Sequence, residues 1–247
     1  IGEGDAGTMA DSIFTYDDEA TLTKTAYSKV GYGFGGLTGT KITYTGAKYK
    51  VGDEYQQVTV GMVLADEAMV LNLATGADGD VEVELTAKYN ANNYTISYDA
   101  NGGELAEGTT TKLVTFDNTY GTLAAEPTRN GYRFDGWTLE KNNKDTIVTI
   151  STKVKTAKDH TLYAYWKLAT FEVSLNANGG TLASGDPNKL TVTWSQTFGD
   201  ATTALDSIIP TRNGYDFAGW WTTKDGGVQI TNATSIDADP YTYTELF

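Results

Sequence analysis

Apolar and polar positions alternate with period two along Tyr94, Ile96 and Tyr98, which interleave with Thr95, Ser97 and Asp99; 77 residues later Phe171, Val173 and Leu175 alternate with Glu172, Ser174 and Asn176. That pattern belongs to a strand with one face buried, and each run leads into Ala-Asn-Gly-Gly (Ala100 to Gly103, Ala177 to Gly180), whose glycines offer the positive-φ positions of a turn. A second strand is expected over Lys112 to Phe116, matched by Lys189 or Leu190 to Trp194. The connecting segments Thr119 to Glu126 and Thr197 to Ile209 follow. Leu123, Ala124, Ala125 and Ala201 to Leu205 have the only helical composition, each ended by a proline, so a short helix or turn is expected.

The third strand carries a long signature. Pro127, Thr128, Arg129, Asn130, Gly131, Tyr132, Arg133, Phe134, Asp135, Gly136, Trp137 returns as Pro210, Thr211, Arg212, Asn213, Gly214, Tyr215, Asp216, Phe217, Ala218, Gly219, Trp220. Asn130-Gly131 turns the chain, and strict alternation sets Tyr132, Phe134 and Gly136 opposite Arg133, Asp135 and Trp137. Further strands are expected over Thr146 to Ile150 and Thr161 to Trp166. Asn90 to Asn93 and Lys167 to Thr170 read as linkers of four residues.

A worn third copy lies upstream as Gly31, Tyr32, Gly33, Phe34, Gly35, Gly36, Leu37. Ile13 to Asp17 fall on Leu113 to Asp117 at an offset of 100, whereas Leu85 to Tyr89 fall on Leu162 to Trp166 at 77, which leaves 23 inserted residues. The insertion contains Lys41 to Tyr49, an added hairpin or edge strand, and the apolar run Met62 to Leu73. Three modules follow: 1–91, degenerate and without an opening strand; 92–168; and 169–247, short of its last strand because Leu246 and Phe247 fall on Leu162 and Tyr163. Such ragged ends suit a longer array or completion by a neighbour's strand.

Composition sharpens this picture. Sixteen Tyr, only 4 Pro and abundant threonine favour pleated surfaces over helix, so a β-rich chain is expected. With Lys+Arg 18 against Asp+Glu 32 the formal net charge is −14, which repels phosphate backbones and anionic headgroups and makes nucleic acid an unfavourable partner. The absence of cysteine excludes disulfides, thiolate metal sites and cysteine nucleophiles. No run approaches the roughly 18 apolar residues of a membrane span, so no membrane insertion is expected within these residues.

The alternating strand, Asn-Gly-Gly, Pro-Thr-Arg-Asn-Gly-Tyr-x-Phe-x-Gly-Trp and Leu-Tyr-Ala-x-Trp together resemble the internalin B-repeat family, also called the Listeria–Bacteroides repeat. Residues 94–166 carry the whole pattern, 170–247 nearly all of it, and 13–89 a degraded form in which Leu37 and Tyr89 replace both tryptophans. The signature positions are Pro127, Arg129, Gly131, Tyr132, Phe134, Gly136, Trp137 and Trp166, then Pro210, Arg212, Gly214, Tyr215, Phe217, Gly219 and Trp220. The resemblance implies a β-rich α+β fold: tandem β-grasp-like (ubiquitin-like) modules, each with one helix-like connection, arranged as an elongated array. It also implies an extracellular, secreted or surface-attached bacterial protein whose repeats serve as spacer or adhesion modules, without catalysis or cofactor.

Site chemistry is sparse. Trp137 and Trp220 are indole platforms for a sugar or, more simply, the core residues that a small module needs. Trp221 faces the other side of a strand from Trp220 and is the candidate for an exposed contact. Arg129 and Arg212 are candidates to read a carboxylate or, more simply, tie the turn to carbonyls or stack on a ring, and Asn101, Asn178, Asn130 and Asn213 are turn residues. Asp17, Asp18, Glu19 and Asp78, Asp80 lack the spacing of a calcium loop and read as solvated acids. No Lys-Asn isopeptide pair can be named. His160, the only histidine, has no marked Ser or Asp partner. A spacer and adhesion segment is therefore expected. The alternatives are a module recognising a glycan or a host or neighbouring-cell surface protein, an ancillary region of a secreted hydrolase, and a filament subunit assembled through incomplete terminal modules.

Overall fold

The computed structural model describes residues 7, 14–42, 46–73, 83–108, 110–237 and 244–247. Its packing forms two compact units: Ile1–Ile96 with Thr111–Thr122 and Ile150–His160, and Ser97–Thr110 with Leu123–Thr149 and Thr161–Phe247. The second sequence repeat contributes segments to both. The chain is β-rich, and helix among the described residues is confined to short 3-10 turns.

In the first unit the strands are β1 (Glu19–Thr21), β2 (Tyr32–Ile42), β3 (Lys48–Val51), β4 (Glu54–Gln57), β5 (Val63–Leu64), β6 (Met69–Leu71) and β7 (Val83–Ala91). They form antiparallel sheets in the orders β1-β6-β3-β4 and β5-β2-β7. Leu22, Leu37, Leu64 and Val70 are the buried core, with Phe34 and Leu85 packed against it. β8 (Asn93–Asp99) begins in this unit, with β9 (Thr111–Thr115) as its neighbour. The inserted hairpin is displaced from the expected Lys41 to Tyr49: β3 and β4 pair about Gly52, whose φ of +63° suits the tight turn. Residues 43–45 lie outside the described residues, as do Ile13 and the Asp78/Asp80 pair. Phe14 and Thr15 are not strand.

The second unit holds β10 (Tyr132–Thr138), β11 (Ile147–Val148), β12 (His160–Leu168), β13 (Thr170–Leu175), β14 (Lys189–Thr193), β15 (Trp220–Thr223), β16 (Gly226–Ile230) and β17 (Glu245–Leu246). Strand orders are β11-β10-β12-β8, β14-β13-β17 and β15-β16. β17 runs parallel to β13, whereas β10 pairs antiparallel with β11 and β12, β13 with β14 and β15 with β16. Val173, Leu190, Phe198, Leu205, Trp220 and Leu246 lie at the centre of its core. The strand expected over Thr146 to Ile150 shrinks to Ile147–Val148, because residues 144–146 form a 3-10 turn capped by Asn143, which accepts from the Asp145 N–H at 3.1 Å.

Three local expectations change, each for a physical reason. First, strict alternation fails in β10: its register with β12 shifts between Phe134 and Gly136, whose φ is +135°. The extra residue of this bulge brings Phe134 and Trp137 to one face, with ring centroids 5.3 Å apart. Second, the connecting segment of the second repeat is not helical. The Ala124 carbonyl accepts from Trp137 Nε1 at 3.3 Å, where a helix would turn it along its own axis. The third repeat holds two 3-10 turns, Phe198–Asp200 and Leu205–Ser207, and Trp220 Nε1 donates to the Ile208 carbonyl at 3.0 Å. Third, the linkers are not loops. β7 ends at Ala91 and β8 begins at Asn93, and β12 ends at Leu168 and β13 begins at Thr170, so a single residue, Asn92 or Ala169, stands between strands.

Trp137 and Trp220 are 2% and 1% exposed, and each pins a connecting segment as well as filling space. Trp137→Ala or Trp220→Ala should cost about 3–5 kcal/mol, as large aromatic truncations in cores do. Trp220→Phe should cost less, losing the Ile208 bond but keeping most of the volume. Urea titrations followed by far-ultraviolet circular dichroism check the order; an unshifted midpoint for Trp220→Ala would contradict it.

Candidate functional site

The signature turn is built alike in the two full repeats. Tyr132 N–H donates to the Arg129 carbonyl at 3.1 Å, as Tyr215 N–H does to Arg212 at 3.1 Å. Gly131 and Gly214 supply φ of +75° and +78°. The Arg129 guanidinium stacks 3.8 Å from the Tyr132 ring centre and donates to the Asn101 carbonyl at 3.2 Å; Arg212 lies 4.1 Å from Tyr215 and donates to Asn178 at 3.0 Å. Asn101 and Asn178 occupy left-handed conformations, φ 48° and 44°. The worn copy keeps this turn with a different cation. Tyr32 N–H donates to the Lys29 carbonyl at 3.0 Å, Gly31 has φ +80°, and the Lys29 ammonium sits 4.6 Å over the Tyr32 ring.

These turns receive the next repeat. At the first joint, Asn92 N–H donates to the Gly31 carbonyl and the Asn92 carbonyl accepts from Phe116 N–H, both at 2.9 Å. A Cβ on Gly31 would lie 2.4 Å from the Phe116 ring. The second joint repeats the arrangement: Ala169 N–H to Gly131 and Trp194 N–H to Ala169, both at 2.9 Å, with a Cβ on Gly131 falling 2.2 Å from the Trp194 indole. Each joint residue thus has both backbone groups bonded, one to each flanking repeat, and an aromatic of the later repeat lies against a glycine of the earlier one. A short connection tied at both groups and covered by a ring has little freedom to bend.

The joints differ in polarity. At the first, Tyr32 packs edge-on against Phe116 with centroids 5.5 Å apart, and its hydroxyl donates to Asp117, which also receives Lys155. The Lys155 bond, then the Tyr32 bond, hold the Asp117 carboxyl below the usual carboxylate range despite some desolvation. At the second joint Ser195 stands at that place, with the same left-handed backbone (φ 64° against 61° for Asp117), and a larger ring, Trp194, replaces Phe116.

In the third repeat no described residue covers the same turn. A Cβ on Gly214 would meet nothing within 4 Å, and Tyr215 is 66% exposed. Beside it lies a cavity of about 290 Å³ lined by Ala177, Gly180, Phe217, Trp220 and Trp221 among others. Trp221 is half-buried, and its backbone exchanges bonds of 2.7 and 2.8 Å with Phe247.

The remaining candidates have local partners. His160 Nε2 is 2.7 Å from the hydroxyl of buried Tyr120, and Nδ1 is 2.9 Å from the Lys158 carbonyl. Asp17 accepts from Asn72 Nδ2 at 3.2 Å, and Glu19 faces Lys50 at 3.7 Å. Among the described residues no group of three or more His, Cys, Asp or Glu is placed to hold a metal ion. No helix among them is long and apolar enough to cross a membrane. Sequence reasoning missed the joints, although the ring positions Tyr16, Phe116 and Trp194, aromatic in all three copies, were the available signal.

Comparison with known proteins gives one family. The family model described as the Listeria-Bacteroides repeat domain matches residues 94–165 and 171–242, together more than half of the chain. A protein of Evansella cellulosilytica provisionally described as a Gly-rich membrane protein is 28% identical over 166 residues, covering 63% of this chain and 16% of its own length. Internalin H of Listeria monocytogenes is 30% identical over 108 residues, covering 44% of this chain and 17% of its own. The matched stretches therefore span less than a fifth of either relative. No solved structure matches.

Two outcomes follow from the joints. Gly131→Ala should raise the hydrogen-exchange rate of the Ala169 amide at least about tenfold, since its Cβ must displace the Trp194 ring, an overpacking cost of about 1–3 kcal/mol. Gly214→Ala, with equal backbone strain and open space, should leave that amide alone. For Asp117 the depressed folded-state pKa means that its stabilisation is complete above the unfolded carboxylate value of about 3.9 and is lost as pH falls through the folded value. Protection of the Phe116 amide should thus decline in acid. Asp117→Asn should weaken it at neutral pH and abolish that decline, which exchange measured from pH 3 to 7 would detect.

Proposed function

The chain belongs to the Listeria-Bacteroides repeat family, and from that premise we propose that it is a non-catalytic tandem-repeat segment of a bacterial surface protein, serving as a spacer and adhesion module outside the cell. The observation that carries the reading is the joint, made twice with the same atoms: a glycine carbonyl, one linking residue and an aromatic of the following repeat. A spacer must transmit orientation from one repeat to the next, and a linking residue bonded on both sides does so, whereas a loop of several free residues does not. We read each repeat as β-grasp-like, with the tryptophan-pinned connecting segment in the place of the helix. The membrane-protein and internalin relatives support placement at the cell surface. The net charge of −14 suits solubility there and disfavours anionic partners.

Small-angle scattering tests the spacer directly. Ten Gly/Ser residues inserted after Ala169 add a coil with a root-mean-square span of about 17 Å. The parent should give a narrow distance distribution and the insertion a visibly broader one. Equal breadth in both would mean that the joint does not set orientation, and the spacer reading would go.

A further inference from the structure

The outward face of β10 and β12 in the second repeat gathers cations that the fold does not require. Leu162 and Ala164 of β12 are buried, so alternation sets Tyr163, Tyr165 and Lys167 on the opposite face. Register places Arg133 directly across from Lys167. Like charges paired across strands destabilise a sheet, and Asp135 offsets this pair: it lies 2.7 Å from the Lys167 ammonium, with the Arg133 guanidinium and the Lys144 ammonium each 3.9 Å away. The Asp135 side chain is 18% exposed, whereas those of Arg133 and Lys144 are 72% and 56% exposed. One carboxylate among three cations leaves a local positive excess. Lys141, beside them, is balanced by Asp99 at 3.7 Å and sits 5.6 Å over the Tyr163 ring.

The other repeats dispense with this face. In the first, Gly33 pairs with Asn90 where Arg133 pairs with Lys167, and Gly35 takes the place of Asp135. Thr86 and Lys88 replace Tyr163 and Tyr165, while the inward Leu85 and Ala87 match Leu162 and Ala164. In the third, Asp216 and Ala218 stand at the places of Arg133 and Asp135. Nor does Asp135 need three cations. Lys167 already bonds it, and Arg133 and Lys144 lie beyond hydrogen-bond reach, so their donors are not spent on it.

We propose that this face binds a short sugar chain bearing carboxylate or sulfate groups, its anions set among Arg133, Lys144 and Lys167 and its rings laid on Tyr163 and Tyr165. The guanidinium fork can grip two oxygens of one anion, and each tyrosine offers an apolar ring with a polar tip. Tyr163 to Lys167 runs about 13 Å along the strand, the length of a few sugar rings. An acidic peptide fits less well: β10 lies between β11 and β12, and β12 between β10 and β8, so no backbone edge is open here to an added strand. The chain's net charge of −14 repels a long polyanion over about one Debye length, about 8 Å at physiological salt, so a local positive face suits a short chain. The inference goes beyond the spacer reading and stands whether or not the joints set orientation.

The test titrates hyaluronan hexasaccharide, which carries carboxylates alone, and heparin hexasaccharide, which adds sulfates, into the 247-residue chain labelled with nitrogen-15. Saturable shifts are expected at the amides of Arg133, Tyr165 and Lys167 with at least one of the two, and which one identifies the anion. The double variant Arg133→Ala, Lys144→Ala changes only exposed side chains and should keep the amide dispersion of the parent. Its affinity should fall at least about tenfold, or about 1.4 kcal/mol by the standard conversion. Lys224→Ala, which removes an exposed cation of the third repeat, should leave affinity unchanged. Failure of both sugars to saturate, equal binding of neutral chitohexaose, or loss with Lys224→Ala as large as with the double variant would overturn the proposal. So would hexaglutamate binding this face as tightly as the sugars, which would mark an acidic peptide as the partner.

Discussion

An aromatic ring can lie directly on the backbone only where no Cβ stands between them. The chain meets that requirement at Gly31 under Phe116 and at Gly131 under Trp194, and in both cases the glycine is held by a left-handed φ that other residues adopt at a cost. Two demands fall on one atom's absence: turn geometry and close approach. The joint residues Asn92 and Ala169 can then bond on both sides because the repeats they connect are brought this near.

Within a repeat the same economy of parts recurs. The modules have no disulfide and no metal cluster among the described residues, so their cores must do the work of staples. Each full repeat uses a buried tryptophan twice, as volume and as a hydrogen-bond donor to the connecting segment. The β10 bulge makes this workable, because it turns Phe134 and Trp137 to one face where strict alternation would divide them. The first repeat, with Leu37 in the tryptophan position, relies on a leucine-rich core and the additional strands of its insertion.

Acidic side chains fit the same logic of local use. Asp117 receives Tyr32 and Lys155, and Asp135 receives Lys167 at 2.7 Å, which is the first cause of its lowered pKa. These groups brace sheet edges and joints rather than converge on a cleft. His160 braces Tyr120 in the same manner. The cavity beside β15 mixes aromatic side chains, Phe217, Trp220 and Trp221, with polar and charged ones such as Asn176, Arg212, Asp216 and Lys224.

Much of this was readable from residue order. Offsets of 77 and 83 aligned the repeats, alternation marked β8 and β13, and the recurrent Asn-Gly pairs at Gly131 and Gly214 marked the turns. Those features are local, and local preference decides them. Long-range geometry decided the rest. The Tyr32 hydroxyl finds Asp117 across 85 residues, and no periodicity encodes which ring covers which glycine. The four-residue linkers shrink to one residue each, because bonds to Gly31 and Gly131 keep the strands running to within one residue of each other. Of the short helix or turn expected in each connecting segment, the third repeat keeps two 3-10 turns, while in the second a buried indole N–H takes the Ala124 carbonyl that a helix would have kept for itself.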